Sequence, residues 1–137
     1  MPTLRFGSVL RTARANQTET TINTSPLLRL FATGGSPPAN PAAADPAGLV
    51  VEITLPADWL TAGATGVKTI NGSWADVAID DGTIDWFRIR DSGDVACHIE
   101  GDVTVTGGGG AMTVNRVAVL TDDEVSVTTF TLTEGNA

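Results

Sequence analysis

Short apolar runs alternate with polar residues along most of this chain, and this alternation predicts β-strands. In the clearest run, residues 49–55, apolar side chains at odd positions would face one side and Glu52 and Thr54 the other. Clusters of Gly, Pro, Asn and Asp separate the runs at roughly ten-residue spacing, as in sandwiches and barrels. We therefore predict an all-β fold, an antiparallel β-sandwich of the jelly-roll or immunoglobulin-like type. Its other strands are expected at residues 27–32, 67–74, 75–79, 84–91, 95–105, 112–120 and 124–133.

The strand expected at residues 95–105 carries the only Cys and the only His of the chain. Strict alternation would place Cys97 and Ile99 on the apolar face and His98 on the polar face. Gly101 interrupts the strand and predicts a bulge.

The connections between strands also carry signals. Asn-Gly at residues 71–72 predicts a tight turn, and four glycines at 107–110 predict an unconstrained hairpin connection. In the last strand the apolar positions change from odd to even, which predicts a β-bulge near residues 128–129. The segment 56–60 predicts a short turn that places Trp59 against the sheet.

Two segments depart from the strand pattern. Residues 8–22 carry a weak apolar stripe behind Ser8, a potential cap, and predict one short N-terminal helix, with an extended arm as the alternative. Residues 33–48 are rich in Gly and Pro and lack apolar periodicity, which predicts a long loop or arm, either ordered by a neighbouring molecule or flexible. We therefore predict a single domain, with an N-terminal arm or helix at 1–26 and the β-sandwich at 27–137.

The composition and charge of the chain limit the classes of binding partner that we expect. The chain has 137 residues and a formal net charge of −8, from 16 acidic and 8 basic side chains. Such a surface repels phosphate backbones, so we expect no nucleic-acid partner. We expect no membrane partner, because no apolar run approaches the ~20 residues of a membrane span. We expect synthesis in the cytoplasm, because no leader pattern opens the chain. The lone Cys97 is expected to be a buried thiol.

Candidates for catalysis or metal binding are few. Cys97 and His98 are predicted on opposite faces, which disfavours a nucleophile–base pair, and a single His does not make a zinc site. For four aspartates we favour a role in stabilising turns, which is common for Asp, and a calcium site is the alternative. Their spacing does not match an EF-hand loop. These are Asp76, Asp80, Asp81 and Asp85. We predict no enzymatic activity, no cofactor and no bound metal.

One strand face stands out in this acidic chain. Trp86, Arg88 and Arg90 are expected together on the outer side of the strand 84–91. Arg pairs with carboxylates and Trp contributes buried area, so the patch favours a protein interface. The alternative is a core rim along which the arginine stems lie with their charged groups in solvent. The other candidate interface residues are Arg5, Arg11 and Arg14 of the N-terminal segment, and Pro37 and Pro38 of the loop.

Short motifs follow one another in order over nearly the full length. They are Leu4-Arg5-Phe6-Gly7, Thr20-Thr21-Ile22, Leu28-Arg29-Leu30, the Ala/Pro-rich loop ending at Asp45, Glu52-Ile53-Thr54-Leu55-Pro56-Ala57-Asp58-Trp59, Gly72-Ser73-Trp74, Phe87-Arg88-Ile89, Cys97-His98-Ile99-Glu100-Gly101 and Phe130-Thr131-Leu132-Thr133. This order resembles a family of small structural virion proteins of tailed bacteriophages. The resemblance implies a structural role in the particle and no enzymatic activity.

We therefore expect a capsid decoration (cement) protein on the virion surface, which binds the major capsid protein lattice and stabilises the head. A homo-oligomer is expected, with a trimer favoured. The N-terminal arginines and the proline-rich loop could reach across capsomer boundaries. The alternatives are a head–tail connector or tail component, and a carbohydrate-binding β-sandwich with Trp59, Trp74 or Trp86 as sugar platforms.

Overall fold

The computed structural model describes residues 3–134, and in this range the chain forms one helix and ten strands. They are α1 (Ser8–Ile22), β1 (Leu27–Phe31), β2 (Leu49–Thr54), β3 (Val67–Thr69), β4 (Ala75–Val77), β5 (Gly82–Thr83), β6 (Trp86–Arg90), β7 (Cys97–Val105), β8 (Met112–Val114), β9 (Ala118–Val119) and β10 (Glu124–Thr133). Eight strands form one curled sheet in the order β2-β1-β6-β7-β8-β10-β3, with β4 also on β10, and β5 pairs with β9. The prediction of a mostly β fold with one short N-terminal helix is confirmed. Within the same range, no helix is long and apolar enough to cross a membrane.

The sheet is mixed because β7 and β8 pair in parallel, which contradicts a wholly antiparallel arrangement. The hairpin predicted at residues 107–110 is therefore wrong, since the chain turns back beside β7 and enters β8 in the same direction. Parallel neighbours usually need about a dozen connecting residues. Residues 106–111 suffice here because Gly107 and Gly109 adopt φ angles of +85° and +83°, which glycine tolerates without strain.

Strand β10 organises the far side of the sheet. Its first residues pair with β4 and its last with β3, so these two short strands follow one another along the same edge. Against β8 the register shifts between Val127 and Thr129, which confirms the predicted bulge. The strand predicted at 112–120 is interrupted between β8 and β9, where Asn115 hydrogen-bonds the backbone of β10 through its side-chain amide.

Aromatic rings occupy the centre of the core. Trp74 packs between Trp59 and Phe130, with ring centroids 6.0 and 5.7 Å apart, and Phe130 meets the edge of Phe87 at 5.7 Å. Trp59 also donates its indole N–H to the carbonyl of Asn23 at 3.0 Å. This bond satisfies a buried polar group and ties the end of α1 to the core.

Helix α1 packs beside β3 through a buried ion pair. The Lys68 ammonium of β3 lies 2.6 Å from a carboxylate oxygen of Glu19, and the Lys68 side chain is only 5% exposed. The buried helix residues are Ala15 and Ile22. The predicted stripe therefore does not face the core, and Val9 at its start is exposed.

The start of α1 also differs from the prediction. Gly7, not Ser8, occupies the cap position, and no side chain hydrogen-bonds there. The first turn contains no acidic residue that would favour the helix dipole. In place of a side-chain cap, the first half of α1 is tied to the segment before β3, where the Gly66 N–H donates to the Thr12 hydroxyl at 3.2 Å.

A bulge reorganises the faces of β7. Its register against β6 skips His98, so the bulge lies there and not at the predicted Gly101. Directly paired residues share a sheet face, and Arg90 pairs with Cys97. Cys97 therefore lies on the arginine side and not with Ile99 on the apolar side, as strict alternation had predicted.

Candidate functional site

Strands β1 and β6 place Arg29 directly opposite Arg88 on one side of the sheet. Trp86 and Arg90 belong to the same side, because alternate residues of a strand point the same way. We call Arg29, Trp86, Arg88 and Arg90 the arginine face. The proline-rich loop, residues 33–48, is bound to it.

Arg88 is the centre of this contact and is fully buried. Its Nε donates to Glu100 at 3.0 Å, and its Nη1 donates to the Asp45 carboxylate at 2.9 Å. The two Nη groups also donate to the carbonyls of Ala43 and Asn40, at 2.8 and 3.0 Å. The planar guanidinium thus binds both the backbone and a carboxylate of the proline-rich loop.

Asp45 gathers three arginines. Its carboxylate lies 2.8 Å from Arg29, 2.9 Å from Arg88 and 3.3 Å from Arg90. Burial tends to raise the pKa of Asp45, but hydrogen bonds from Arg88 and Arg29 and the charge of Arg90 outweigh it, so the pKa lies below its ordinary value of 3.8. Asp45 is therefore ionised near neutral pH and latches the end of the loop.

Asp85 holds the beginning of the same loop. It accepts hydrogen bonds from the Thr33 N–H and hydroxyl at 2.8 and 2.7 Å and from the Gly35 N–H at 3.1 Å. Burial tends to raise the pKa of Asp85, but these bonds outweigh it and lower the pKa. At the base of the loop the Ala32 N–H donates to the Gly48 carbonyl, and a Cβ on Gly48 (φ +91°) would clash with the Ala32 oxygen.

The proline-rich loop is therefore ordered by its own chain, a state that neither sequence alternative described. Arg88 has no exposed surface, so it cannot contact a partner directly, and its guanidinium is not solvated as the rim alternative required. Trp86 and Arg90 are half-buried. Of the two candidate prolines, Pro37 is exposed and Pro38 half-buried, so a partner on this side would meet the loop first.

The N-terminal arginines belong to a different part of the molecule. Arg5 is exposed and Arg11 is half-buried on α1. The Arg14 guanidinium lies over the Phe6 ring, 5.1 Å from its centroid, and 3.4 Å from the Glu134 carboxylate. The structure therefore does not join these residues to the arginine face.

The Cys97 and His98 side chains have separate surroundings. His98 Nε2 lies 3.1 Å from Asp91, whose pKa is lowered chiefly by a hydrogen bond from the Val95 N–H and also by His98. Burial raises the pKa of the Cys97 thiol, although the charge of Arg88 opposes this. The thiol therefore stays protonated near neutral pH and is a poor nucleophile.

The aspartates considered for calcium bind backbone amides instead. Asp76 accepts from the Val77 N–H, Asp80 from the Asp81 N–H, and Asp81 from the Thr121 N–H, at 2.7–2.8 Å. This is the turn chemistry expected of Asp. Among residues 3–134, no group of three or more His, Cys, Asp or Glu side chains is arranged to hold a metal ion.

Sequence reasoning missed most carboxylates of the site. Glu52 bonds Arg29 at 2.7 Å, and Asp94 bonds both Arg29 and Arg90. Strand alternation alone could have placed Arg29 on the outer side of β1. The loop position of Asp45 and the turn position of Asp94 offered no such periodic signal.

Acidification should release the proline-rich loop. The folded pKa of Asp45 is below the 3.8 of an unperturbed carboxyl, so its contribution to stability is present above pH 3.8 and lost as pH falls through the folded pKa. We expect Asp45→Asn to be less stable at neutral pH and to lose less stability than the parent between neutrality and about pH 3. Urea midpoints across this range measure both effects.

A matched control is Asp58→Asn, because the Asp58 carboxylate accepts from the Asn71 amide at 3.2 Å and not from an arginine. This control removes a carboxylate that does not bind the proline-rich loop, so the loop should be released at the same pH as in the parent chain. If the urea midpoints of Asp45→Asn and of the parent chain fell in parallel with pH, Asp45 would not hold the loop through its charge.

Comparison with models of known protein families, with curated proteins and with solved structures found no match. Function is therefore inferred from the geometry of the arginine face and its loop.

Proposed function

We propose that this chain is a structural protein that binds other protein subunits, as a capsid decoration (cement) protein of a tailed bacteriophage. The observation that carries the proposal is the proline-rich loop, which lacks regular strands yet is held at both ends by Asp85 and Asp45. A loop fixed in one conformation loses little conformational entropy on binding. Its exposed side, including Pro37, is therefore a preorganised contact surface.

The charges of the arginine face favour binding over catalysis. Hydrogen bonds from Arg90 and Arg29 lower the pKa of Asp94, as those from Arg88 and Arg29 do for Asp45. Carboxylates held ionised in this way cannot act as general acids near neutral pH. Their role is to neutralise the arginines and hold the loop.

In this proposal the chain is made in the host cytoplasm and then binds the major capsid protein lattice on the virion surface. It acts as a homo-oligomer, with a trimer favoured. The net charge of −8 supports the position on the virion surface, because like charges keep particles that display many copies apart. A jelly-roll or immunoglobulin-like arrangement of the curled sheet is part of the same proposal.

Phage particles assembled with and without this chain test the proposal. Particles that lack it should release DNA at a lower temperature and be more sensitive to chelators or low salt. Adding back the purified chain should restore heat stability. Unchanged release temperature and unchanged sensitivity in its absence would contradict a cementing role.

Two exposed substitutions test the loop within the same assay. Pro37→Asp changes the exposed side of the loop, and Ala57→Asp introduces the same charge at an exposed site elsewhere. We expect Pro37→Asp to restore heat stability poorly and Ala57→Asp to restore it like the parent chain. Equal restoration of heat stability by both variants would show that the exposed side of the loop does not contribute to capsid binding.

The alternatives predict different observations. A connector or tail component would be present in about a dozen copies or fewer, whereas a decoration protein would approach the band intensity of the major capsid protein. A carbohydrate-binding module has weaker support, because Trp59 and Trp74 lie in the core and only Trp86 is partly exposed. A glycan array with no hits would remove that alternative.

A further inference from the structure

The two ends of β10 lie in regions of opposite charge. Around its start are six carboxylates, Asp76, Asp80, Asp81, Asp122, Asp123 and Glu124, which we call the acidic end. Near its other end lies the basic end, residues 3–14, with three arginines and no acidic residue. β10 has ten residues, so at about 3.3 Å per residue the ends are separated by roughly 30 Å.

Hydrogen bonds bring the acidic segments side by side. The Ala78 N–H donates to the Asp123 carbonyl and the Asp122 N–H to the Ala78 carbonyl, both at 2.8 Å. The Thr121 N–H donates to the Asp81 carboxylate at 2.7 Å. One cation, Arg116, pairs with Asp123 at 3.3 Å, so the acidic end keeps a clear negative excess.

The basic end is joined to the far end of β10. Gly66 just before β3 receives a hydrogen bond from the Glu134 N–H and donates to Thr12 of α1, at 2.8 and 3.2 Å. Glu134 also pairs with Arg14, which remains half-exposed. Arg5 is exposed and adds a charge that this carboxylate does not neutralise.

Both ends also expose large apolar side chains. At the acidic end these are Val77, Ile79 and Leu120, which are 45%, 59% and 64% exposed. At the basic end they are Leu4, Val9 and Leu10, which are 67%, 84% and 49% exposed. Apolar patches rimmed by charge are typical of protein interaction sites.

We propose that the basic end of one copy docks onto the acidic end of a second copy. The two surfaces have opposite charges and both expose apolar side chains. Within one chain they lie at opposite ends of β10 and cannot contact each other. The contact is therefore head-to-tail, and it generates a ring when its rotation closes and a chain of subunits when it does not. This contact would form the homo-oligomer of the proposed function. It rests on the oligomeric part of that function, but it requires no capsid.

Sedimentation of the purified chain tests the contact without any particle. We expect species larger than dimers at low salt that dissociate as salt is added, because exposed charges are screened. Asp80→Asn with Glu124→Gln should weaken association about tenfold or more, since two carboxylates of the acidic end lose their charge. Asn at position 80 keeps the oxygen that accepts the Asp81 N–H, so the turn is preserved.

The matched control is Thr54→Lys with Ala57→Lys, at exposed sites outside both ends, which changes the net charge by the same two units. The control should associate like the parent chain. A parent chain that stays monomeric at low salt, or equal association of the two double variants, would overturn the proposal.

A mixing experiment separates a head-to-tail contact from other modes. Arg5→Glu damages only the basic end, and Asp80→Asn with Glu124→Gln damages only the acidic end, so each variant alone should associate far more weakly than the parent chain. Mixed, they should form one-to-one dimers that grow no further, because only one intact pair of ends remains. Failure to form dimers on mixing would overturn the head-to-tail contact.

The outcomes also distinguish this inference from the proposed function. Self-association without effect on phage particles would retain the inference and reject the capsid role. Capsid binding by a chain that shows no self-association would do the reverse.

Discussion

Replacing Arg88 by methionine should lower the free energy of unfolding by about 3–5 kcal/mol, because it removes one partner of a buried ion-pair network. Four acceptors lose their hydrogen bonds from Arg88 together: the Asp45 and Glu100 carboxylates and the carbonyls of Asn40 and Ala43. Of these, Asp45 keeps its pairs with Arg29 and Arg90. Methionine fills a similar volume, so the loss would report on polar groups left unpaired rather than on a cavity. Urea unfolding at neutral pH measures the change.

The matched control is Arg116→Met at an exposed arginine. Arg116 lies 3.3 Å from Asp123 with its side chain 49% exposed, so its pair should contribute only about 0–1 kcal/mol. The Arg88 variant should also be cleaved faster within residues 33–48 by a protease, since loop tips that lose their anchors are preferred cleavage sites. Equal unfolding free energies for the two variants would show that Arg88 does not anchor the loop.

Replacing Trp74 by alanine should cost about 3–5 kcal/mol, the usual range for a large aromatic residue in a core. Trp74 is 1% exposed, packs against Trp59 and Phe130, and donates its indole N–H to the Asn71 carbonyl at 3.2 Å. Its removal would therefore leave a cavity and an unpaired carbonyl together.

Trp86→Ala is the informative comparison for Trp74→Ala. Trp86 is half-buried and its indole N–H lies 3.4 Å from Glu100, so we expect a smaller loss of stability. Both values can be read from urea unfolding followed by far-UV circular dichroism. A Trp74 variant as stable as the parent chain would contradict the aromatic core, and would return Trp74 to the candidates for sugar stacking.

Local patterns in the chain were enough to predict much of the secondary structure. The helix was predicted at residues 8–22 and forms at Ser8–Ile22, and the clearest alternating run became β2. The change of apolar phase in the last strand predicted the bulge between Val127 and Thr129. Each of these features depends on neighbours within a few residues, where backbone period and side-chain burial are directly coupled.

Predictions failed where one extra residue or one unusual turn changed the geometry. The bulge at His98 moved Cys97 to the arginine side, because a shift of one residue exchanges the two faces of a strand. The glycines after β7 were compatible with a hairpin and with the parallel return that the structure has. Backbone freedom alone does not choose between them, since the neighbouring strand decides which way the chain runs.

The candidate site itself was decided by tertiary structure. Strand alternation grouped Trp86, Arg88 and Arg90 correctly, but it could not show that the proline-rich loop covers Arg88. Arg88 and Asp45 are 43 positions apart along the chain, and their ion pair forms only once β6 and the loop are brought together. Periodicity specifies which side of a strand a residue occupies, whereas long-range packing determines whether that side meets solvent, a partner or another segment of the same chain.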